Sequence, residues 1–296
     1  MAGSNGSTGG RRRPSDAGGR HRPRKRFGQH FLEPGWVARL MAAIEPRPDD
    51  TFVEIGPGRG AVTLPLAGLV ARVIAVEIDR DLAAGLASRA PANCSILEGD
   101  VLEIDLAAAV ATHRVGPADA GALRIVGNLP YNISSPILRR LVELYGAGLP
   151  VRDATLMLQR EVADRLLAAP GSRDYGRLTI LVRLHADVVP LLSLPPGAFR
   201  PPPAVQSSVV RLTFHPPAVP IADPGAFDRF VRELFAHRRK TLAAILRPLA
   251  AARGLDAAGI LASAGLDSRR RPETLDLAEL ARLAEVFTST PPGAVL

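Results

Sequence analysis

The chain of 296 residues contains a single cysteine, Cys94, and only 4% of its residues are aromatic. One cysteine excludes a disulfide scaffold and any zinc or iron–sulfur site built from several thiolates, so we expect no metal. No uninterrupted apolar run approaches the ~18 residues that suggest a membrane span. The first thirty residues also lack an apolar signal segment. These absences predict a soluble, cytoplasmic protein with no membrane partner.

Lysine is also scarce, because only Lys25 and Lys240 occur and nearly all positive charge is carried by arginine. The chain has 37 Lys and Arg residues against 29 Asp and Glu residues, a net charge of +8. Residues 1–26 hold eight of the cations and one acidic residue, so they carry +7 and leave +1 for the rest. Rich in Gly, Ser and Arg, this segment predicts a disordered basic arm that attracts a polyanion without sequence preference.

Hydrophobic residues make up 47% of the chain, enough to bury a sizeable core. From residue 34 onwards, segments with strand-like and helix-like patterns alternate. Strands are predicted at 51–55, 72–78, 95–98, 123–127, 154–159, 188–194 and 208–214. Helices are predicted at 37–44, 61–69, 81–89, 137–145 and 161–168, whereas 178–184 fits either structure. Such alternation favours a parallel sheet covered by helices on both faces.

Four prolines between residues 216 and 224 separate the alternating strand and helix patterns from the rest of the chain. Beyond them only helical patterns occur, at 227–236, 240–251, 257–264 and 277–287. We therefore predict three parts: the basic arm at 1–26, an α/β domain at 27–215 and a helical domain at 216–296.

Three features follow successive predicted strands, at the edge where an open parallel sheet binds ligands. The first strand runs into the sequence E-I-G-P-G-R-G, in which Gly56 and Gly58 let the backbone approach a ligand closely. Glu77 ends the second strand, twenty-one residues after Gly56, where a carboxylate accepts hydrogen bonds from ribose hydroxyls. Asp100 follows the third strand and is placed to meet an adenine edge. This pattern predicts a nucleoside-containing cofactor and leaves both NAD and S-adenosylmethionine open.

The four residues after the fourth strand, Asn128, Leu129, Pro130 and Tyr131, favour methyl transfer to an exocyclic amine. Such an amine is a poor nucleophile because its lone pair is delocalised into the ring. If the Asn128 side-chain oxygen and the Leu129 carbonyl accept its hydrogens, the nitrogen becomes more pyramidal and its lone pair faces the methyl group. Pro130 stiffens the turn, and Tyr131 offers a ring on which a base can stack. This combination favours S-adenosylmethionine as the cofactor.

With these motifs, the sequence resembles the ribosomal RNA adenine dimethyltransferase family, most closely the branch that modifies small-subunit (16S) ribosomal RNA. The resemblance extends from residue 24 to about residue 246 and is weaker beyond. It is carried by RKRFGQHFL (24–32), EIGPGRG (54–60), VEID (76–79), GNLPYNIS (127–134), MLQREVADRL (157–166), YGRL (175–178), FRPPPAVQSSVVRL (199–212) and HRRKTL (237–242). It implies an α/β fold, with a Rossmann-like methyltransferase sheet and a small C-terminal all-helical domain.

The resemblance also implies roles for residues in the cofactor site. The segment matching 29–32 folds over the cofactor in the family, so His30 and Leu32 are expected to line its site. His30 departs from the family pattern, in which asparagine is common. Gly56 matches the cofactor loop, while Glu77 matches the ribose ligand. Asp100 matches the adenine contact.

By the same resemblance, Asn128 is shared by the cofactor and the target base, and Tyr131 stacks on the target adenine. Phe199 is expected to close the other face of that adenine. Three consecutive basic residues are expected to contact the RNA backbone: Arg238, Arg239 and Lys240. A second basic triplet, at 269–271, reads as a solvated surface.

The resemblance implies dimethylation of N6 on two adjacent adenines in the 3′-terminal hairpin of small-subunit ribosomal RNA, linked to subunit assembly. The expected partner is an immature 30S particle, and we expect the chain to act as a monomer. One alternative is the related branch that methylates an adenine of large-subunit RNA and confers antibiotic resistance. Another is an RNA-binding ribosome-assembly factor for which catalysis is dispensable.

Overall fold

The structure is a computed structural model that describes residues 30–113 and 121–290. The predicted basic arm at 1–26 lies outside the described residues. The strands are β1 (Phe31–Leu32), β2 (Thr51–Ile55), β3 (Arg72–Glu77), β4 (Cys94–Glu98), β5 (Leu123–Asn128), β6 (Val151–Gln159), β7 (Ala186–Leu194), β8 (Phe199–Arg200) and β9 (Ser207–Phe214). All seven strands predicted from the sequence are present, within a few residues of their predicted ends.

The helices before residue 216 are α1 (Pro34–Ile44), α2 (Thr63–Ala67), α3 (Arg80–Ala87), α4 (Leu106–His113), α5 (Ser134–Gly146), α6 (Arg160–Leu167) and α7 (Arg177–Arg183). After it come α8 (Pro224–Ala236), α9 (Leu242–Ala251), α10 (Ala257–Ser263) and α11 (Leu277–Ser289). The ambiguous segment at 178–184 is therefore helical. Helix α4 was not predicted from the sequence.

Seven strands form one sheet in the order β4-β3-β2-β5-β6-β9-β7. The strands β2 to β6 are parallel, but β9 is antiparallel to both of its neighbours, β6 and β7. The prediction of a parallel sheet is therefore wrong for β9, which runs against the direction of the other six strands. Neighbouring parallel strands need a crossover, usually a helix. Only an irregular, proline-rich stretch containing β8 joins β7 to β9, so these two strands run in opposite directions.

Buried apolar residues on both faces of this sheet pack against helices. On one face, Val53 and Ile125 join a cluster with side chains of α4, α5 and α7. On the other face, Phe52 and Val126 pack with α1 and α2. Helices on both faces and parallel central strands give a Rossmann-like architecture, as predicted.

A further cluster joins helices α8 to α11 and forms the core of the C-terminal part. This core also includes Tyr175, Ile180 and Leu184, which precede the predicted boundary at residue 216. Ion pairs connect the same regions, because Asp228 of α8 binds Arg177 at 2.9 Å and Arg139 at 3.1 Å. Helices α8 to α11 thus pack against the region around α7, which precedes the predicted boundary. The domain boundary at 215/216 stays a prediction.

Arg124 ties helix α1 to the edge of the sheet opposite the glycine loop. Its side chain is 3% exposed and forms ion pairs with Asp50 at 2.8 Å and Asp153 at 3.0 Å. It also donates hydrogen bonds to the carbonyl oxygens of Ile44 (2.7 Å) and Glu45 (3.0 Å) at the end of α1. A buried guanidinium with this many acceptors is a structural residue.

Candidate active site

A cavity lies at the carboxyl ends of β2, β3, β4 and β5, where the strand order reverses on either side of β2. Open α/β sheets bind their ligands at this position. The cavity brings together ten of the residues that the sequence singled out: His30, Leu32, Gly56, Gly58, Glu77, Asp100, Asn128, Leu129, Pro130 and Tyr131.

The glycine-rich turn after β2 forms one wall of the cavity. Gly56 and Gly58 have φ angles of 68° and 57°, in the left-handed region that favours glycine. A Cβ atom on Gly58 would lie only 3.0 Å from the ring of Phe31. The loop therefore needs glycine there both for its backbone conformation and for the close approach of Phe31.

Glu77 ends β3 with a side chain that is 5% exposed. Its Oε2 atom accepts a hydrogen bond from the backbone N–H of Gly58 at 2.9 Å, and its Oε1 atom accepts one from Asp79 at 2.9 Å. Burial raises the pKa of Glu77, an effect that these two hydrogen bonds oppose. The carboxylate thus fixes the glycine loop and keeps lone pairs for a ligand. Asp100, after β4, accepts a bond from Leu102 N–H at 2.9 Å.

At the end of β5, the Asn128 amide is oriented by the backbone. Its Nδ2 atom donates a hydrogen bond to the carbonyl oxygen of His30 at 2.6 Å. Because the NH2 end faces His30, the Oδ1 end remains available as an acceptor. This is the orientation that the proposed chemistry requires.

Tyr131 lies beside Asn128 with its ring held from two sides. The ring stacks on His30 with centroids 5.5 Å apart and an interplanar angle of 24°. The phenol oxygen is hydrogen-bonded to the Ser207 hydroxyl at 2.6 Å. Burial raises the pKa of Tyr131, so the phenol stays protonated at neutral pH. The ring is therefore a neutral, fixed surface.

Residues 30–32, here called the strap, lie across the cavity. Besides the contacts already given, the strap is held by His30 Nδ1, which donates to the Pro201 carbonyl at 2.8 Å. Pairing of β1 with β8 adds backbone bonds, with Phe31 opposite Arg200. The guanidinium of Arg59 lies 4.5 Å from the centroid of the Phe31 ring. The sequence predicted the position of the strap, but not its pairing with β8.

Phe199 is not placed as predicted. It is 1% exposed, packs in the core with α1 and α2, and does not line the cavity. Within β8, Phe199 is buried and Arg200 is exposed. The alternation of β8 therefore turns the ring into the core, where it cannot close the face of a base.

The helix predicted to begin at residue 240 begins at Leu242, so the basic triplet Arg238, Arg239 and Lys240 lies outside it. The triplet lies in the turn between α8 and α9. Thr241 sets this start, since its side chain accepts from the Ala244 N–H as the N-cap. The triplet is largely exposed, and Arg238 donates to the Arg173 carbonyl at 2.7 Å.

Sequence reasoning missed Glu54, which lines the same cavity. It is 3% exposed, and its Oε2 atom has no hydrogen-bond partner among the described residues. Burial and the nearby charge of Glu77 raise its pKa to about 7. The available signal was a carboxylate within an otherwise apolar strand, TFVEI, directly before the glycine turn.

The fold, the cavity at the strand switch and the glycine loop define the class of Rossmann-like methyltransferases. Comparison with known families matches residues 20–283 to the ribosomal RNA adenine dimethylase family. The chain belongs to this family.

Curated relatives in the comparison include the ribosomal RNA small subunit methyltransferase A of Nitrosococcus oceani. It is 45% identical over 89% of this chain and 96% of its own length. The Pseudomonas aeruginosa protein of that name is 43% identical over 90% of this chain and 96% of its own. Among solved structures, a dimethyladenosine transferase from Plasmodium falciparum is 26% identical with a TM-score of 0.69, covering 86% of this chain and 96% of its own. The 23S rRNA methyltransferase ErmE is 25% identical with a TM-score of 0.59, covering 88% of this chain and 100% of its own.

Within the described residues, no group of three or more His, Cys, Asp or Glu side chains is arranged to hold a metal ion. In the same part of the chain, no helix has the length and apolar character needed to cross a membrane.

Proposed function

We propose that this chain transfers methyl groups from S-adenosylmethionine to N6 of two adjacent adenines in the 3′-terminal hairpin of small-subunit ribosomal RNA. Family membership and relatives named ribosomal RNA small subunit methyltransferase A support this assignment. The observation that carries it is the Asn128 amide. Its NH2 end is held by the His30 carbonyl, and its oxygen end is available beside the Tyr131 ring.

The residues of the cavity fit S-adenosylmethionine, which supplies an electrophilic methyl group on a sulfonium. The carboxylate of Glu77 would accept hydrogen bonds from the two ribose hydroxyls, and Asp100 would accept one from the adenine amine. Ile78 is 45% exposed at the cavity and offers an apolar surface to the adenine. The Oε2 atom of Glu54, which has no partner among the described residues, suits a ligand that carries positive charge.

Asn128 and Leu129 would activate the acceptor. The Asn128 Oδ1 atom and the Leu129 carbonyl each accept a hydrogen from the exocyclic amine of the target adenine, so its lone pair faces the methyl group. Tyr131 stacks on the base and fixes its height, while Pro130 limits movement of the turn. No strong base is needed, because the proton becomes acidic only as the nitrogen gains the methyl group.

Two methyl transfers per adenine are chemically consistent with this arrangement, since a monomethylated amine keeps one hydrogen for an acceptor. The adenine must leave its stack to enter the cavity, which costs a few kcal/mol and is easiest in a loop. The helical part and the triplet Arg238, Arg239 and Lys240 would bind the RNA backbone. We place the reaction in the cytoplasm, with a monomer acting on an immature 30S particle.

The likeness to ErmE makes the large-subunit branch the relevant alternative. We do not favour it, because relatives that are 42–45% identical carry small-subunit names. A binding role in subunit assembly is compatible with the proposal, whereas a purely structural role would leave the polar residues of the cavity without a purpose.

The proposal is tested by incubating the chain with labelled S-adenosylmethionine and purified unmethylated subunits, separately. We expect label in small-subunit RNA from the wild-type chain, and loss of label with Asn128→Ala. An Asn93→Ala variant, checked by a thermal melt, is the control for lost structural hydrogen bonds, because Asn93 donates to the Ala67 and Val70 carbonyls and does not line the cavity. It should keep the label. Label found only in large subunits would overturn the choice of substrate.

A further inference from the structure

A second cavity, of about 590 Å³, lies at the C-terminal end of β6, next to the candidate active site. It is here called the side cavity. In the pairing of β6 with β9, Gln159 lies opposite Ser207, the residue that binds the Tyr131 hydroxyl. Gln159 and Gln206 both line the side cavity. Gln206 in the wall of the side cavity is therefore the chain neighbour of Ser207, which binds Tyr131, the residue whose ring would stack on the target base.

The charges of the side cavity do not favour a phosphate group. Two arginines line it, but so do three carboxylates. One of the arginines, Arg160, is already engaged. Its guanidinium donates to Gln206 Oε1 at 3.0 Å and lies 3.6 Å from the Asp164 carboxylate. An anionic ligand would therefore meet a surface with more negative than positive charge.

The groups left available include a donor, an acceptor and an apolar surface, beside the exposed Arg173 guanidinium and the Gln159 amide. Because a guanidinium only donates, Arg160 must face the oxygen of the Gln206 amide, which leaves the Gln206 NH2 group as a donor. The Asp174 carboxylate has no hydrogen-bond or ion-pair partner among the residues that the structure describes, and it is an acceptor. Val205 is 43% exposed at the same cavity.

This set matches the edge and face of adenine. The base carries an amine that donates and a ring nitrogen that accepts, and its flat face suits an apolar contact. Uracil and guanine present a different order of donors and acceptors, whereas cytosine shares the amine and the ring nitrogen. Adenine is the base to expect because the proposed substrate is a pair of adenines. Single-stranded RNA is commonly read through the edges of bases that are splayed out of the stack.

We propose that the side cavity binds the adenine adjacent to the one being methylated, with Asp174 accepting from its amine and Gln206 donating to a ring nitrogen. The inference rests on the proposed function and deepens it, because it explains how a site for one adenine selects a pair. The neighbouring base positions the target nucleotide, so the side cavity contributes to RNA binding and not to methyl transfer itself.

The test uses the full chain and small subunits reconstituted with RNA in which the neighbouring adenine is replaced by purine riboside, which lacks the amine. Initial methylation of the other adenine is followed by mass spectrometry. On unmodified RNA, we expect Asp174→Ala to raise KM about 10- to 100-fold with little change in kcat. Gln206→Ala is expected to act in the same direction, and Asp49→Ala removes an exposed carboxylate elsewhere as the matched control.

The decisive comparison is between the two RNAs. With purine riboside, the wild-type chain should show a raised KM, and Asp174→Ala should add little further loss, because both changes remove the same hydrogen bond. Equal losses from Asp174→Ala on both RNAs, or no effect of either change, would overturn the inference while methylation by the wild-type chain upholds the proposed function. A wild-type chain that methylates no small-subunit adenine would overturn both.

Discussion

Replacing Glu77 with alanine should abolish cofactor binding while the chain stays folded. In the proposed site, the Glu77 carboxylate accepts hydrogen bonds from two ribose hydroxyls. Each hydrogen bond to a charged group contributes about 1.5–3 kcal/mol. Losing both weakens binding by roughly 3–6 kcal/mol, or about 10²- to 10⁴-fold in Kd. The loss also frees the Gly58 and Asp79 N–H groups, which the carboxylate holds at 2.9 Å, so the glycine loop loses its anchor.

Cofactor binding is measured by isothermal titration calorimetry of the purified chain with S-adenosylmethionine, and a thermal melt checks that the variant is folded. Glu98→Ala is the matched control, because Glu98 lies opposite Glu77 on the adjacent strand but is exposed and does not line the cavity. RNA binding should change little, because in the proposed site Glu77 contacts the cofactor and not the RNA. A folded Glu77→Ala chain that binds the cofactor within threefold of wild type would refute the reasoning.

The same carboxylate predicts how cofactor binding depends on pH. Burial raises the pKa of Glu77, so the folded chain takes up a proton there at a higher pH than an ordinary glutamate does. Affinity for the cofactor should therefore fall on acidification, and the fall should begin at a pH above the ordinary glutamate pKa of 4.5. Glu77→Gln should bind weakly at every pH, because the amide has lost the charge.

Three further predictions concern stability and RNA binding. Arg124→Met should lower the free energy of unfolding by about 3 kcal/mol in a urea titration, because Asp50 and Asp153 lose their buried partner and keep only the partly exposed Arg152. A loss below about 1 kcal/mol would show that Arg124 is dispensable. Glu54 has a pKa of about 7 in the fold against an ordinary glutamate pKa of 4.5, so as pH rises the unfolded chain releases this proton first and the free energy of unfolding should fall between these two pH values. Glu54→Gln should reduce that fall, leaving the part due to Glu77, and be more stable at pH 8 by on the order of 1–3 kcal/mol; an unchanged pH slope would contradict the assignment. Arg239→Ala should reduce the slope of log K for RNA binding against log salt concentration by ~0.7–0.9. Arg269 is 87% exposed and paired with Asp267, so Arg269→Ala is the control and should leave this slope unchanged. Equal slopes for the two variants would show that the RNA does not contact Arg239.

Much of the fold could be predicted because its strands are short, apolar runs separated by helical periodicity. The ends of β2, β3, β4 and β5 were located closely enough to bring Gly56, Glu77, Asp100 and Asn128 to one edge. That placement follows from the parallel arrangement alone, and the structure confirms it. Helix α4 could not be predicted because its alanine-rich sequence has a weak apolar periodicity.

What the sequence could not predict depends on contacts between distant residues. The pairing of β1 with β8 involves two residues on each side and has no local pattern. Phe199 matched a motif, yet the alternation of β8 turns its ring into the core. The direction of β9 depends on its pairing with β6, a strand about fifty residues earlier in the chain, and no local pattern shows that pairing. Glu54 lies in a buried strand, and only the folded sheet shows that its carboxyl reaches the cavity.

Mass spectrometry of ribosomal RNA from cells with and without this gene tests the central claim most directly. We predict that two adjacent N6,N6-dimethyladenosines in the 3′-terminal hairpin of small-subunit RNA are present with the gene, absent without it, and not restored by Asn128→Ala. Unchanged dimethyladenosine in small-subunit RNA after deletion, or a loss confined to large-subunit RNA, would contradict the account.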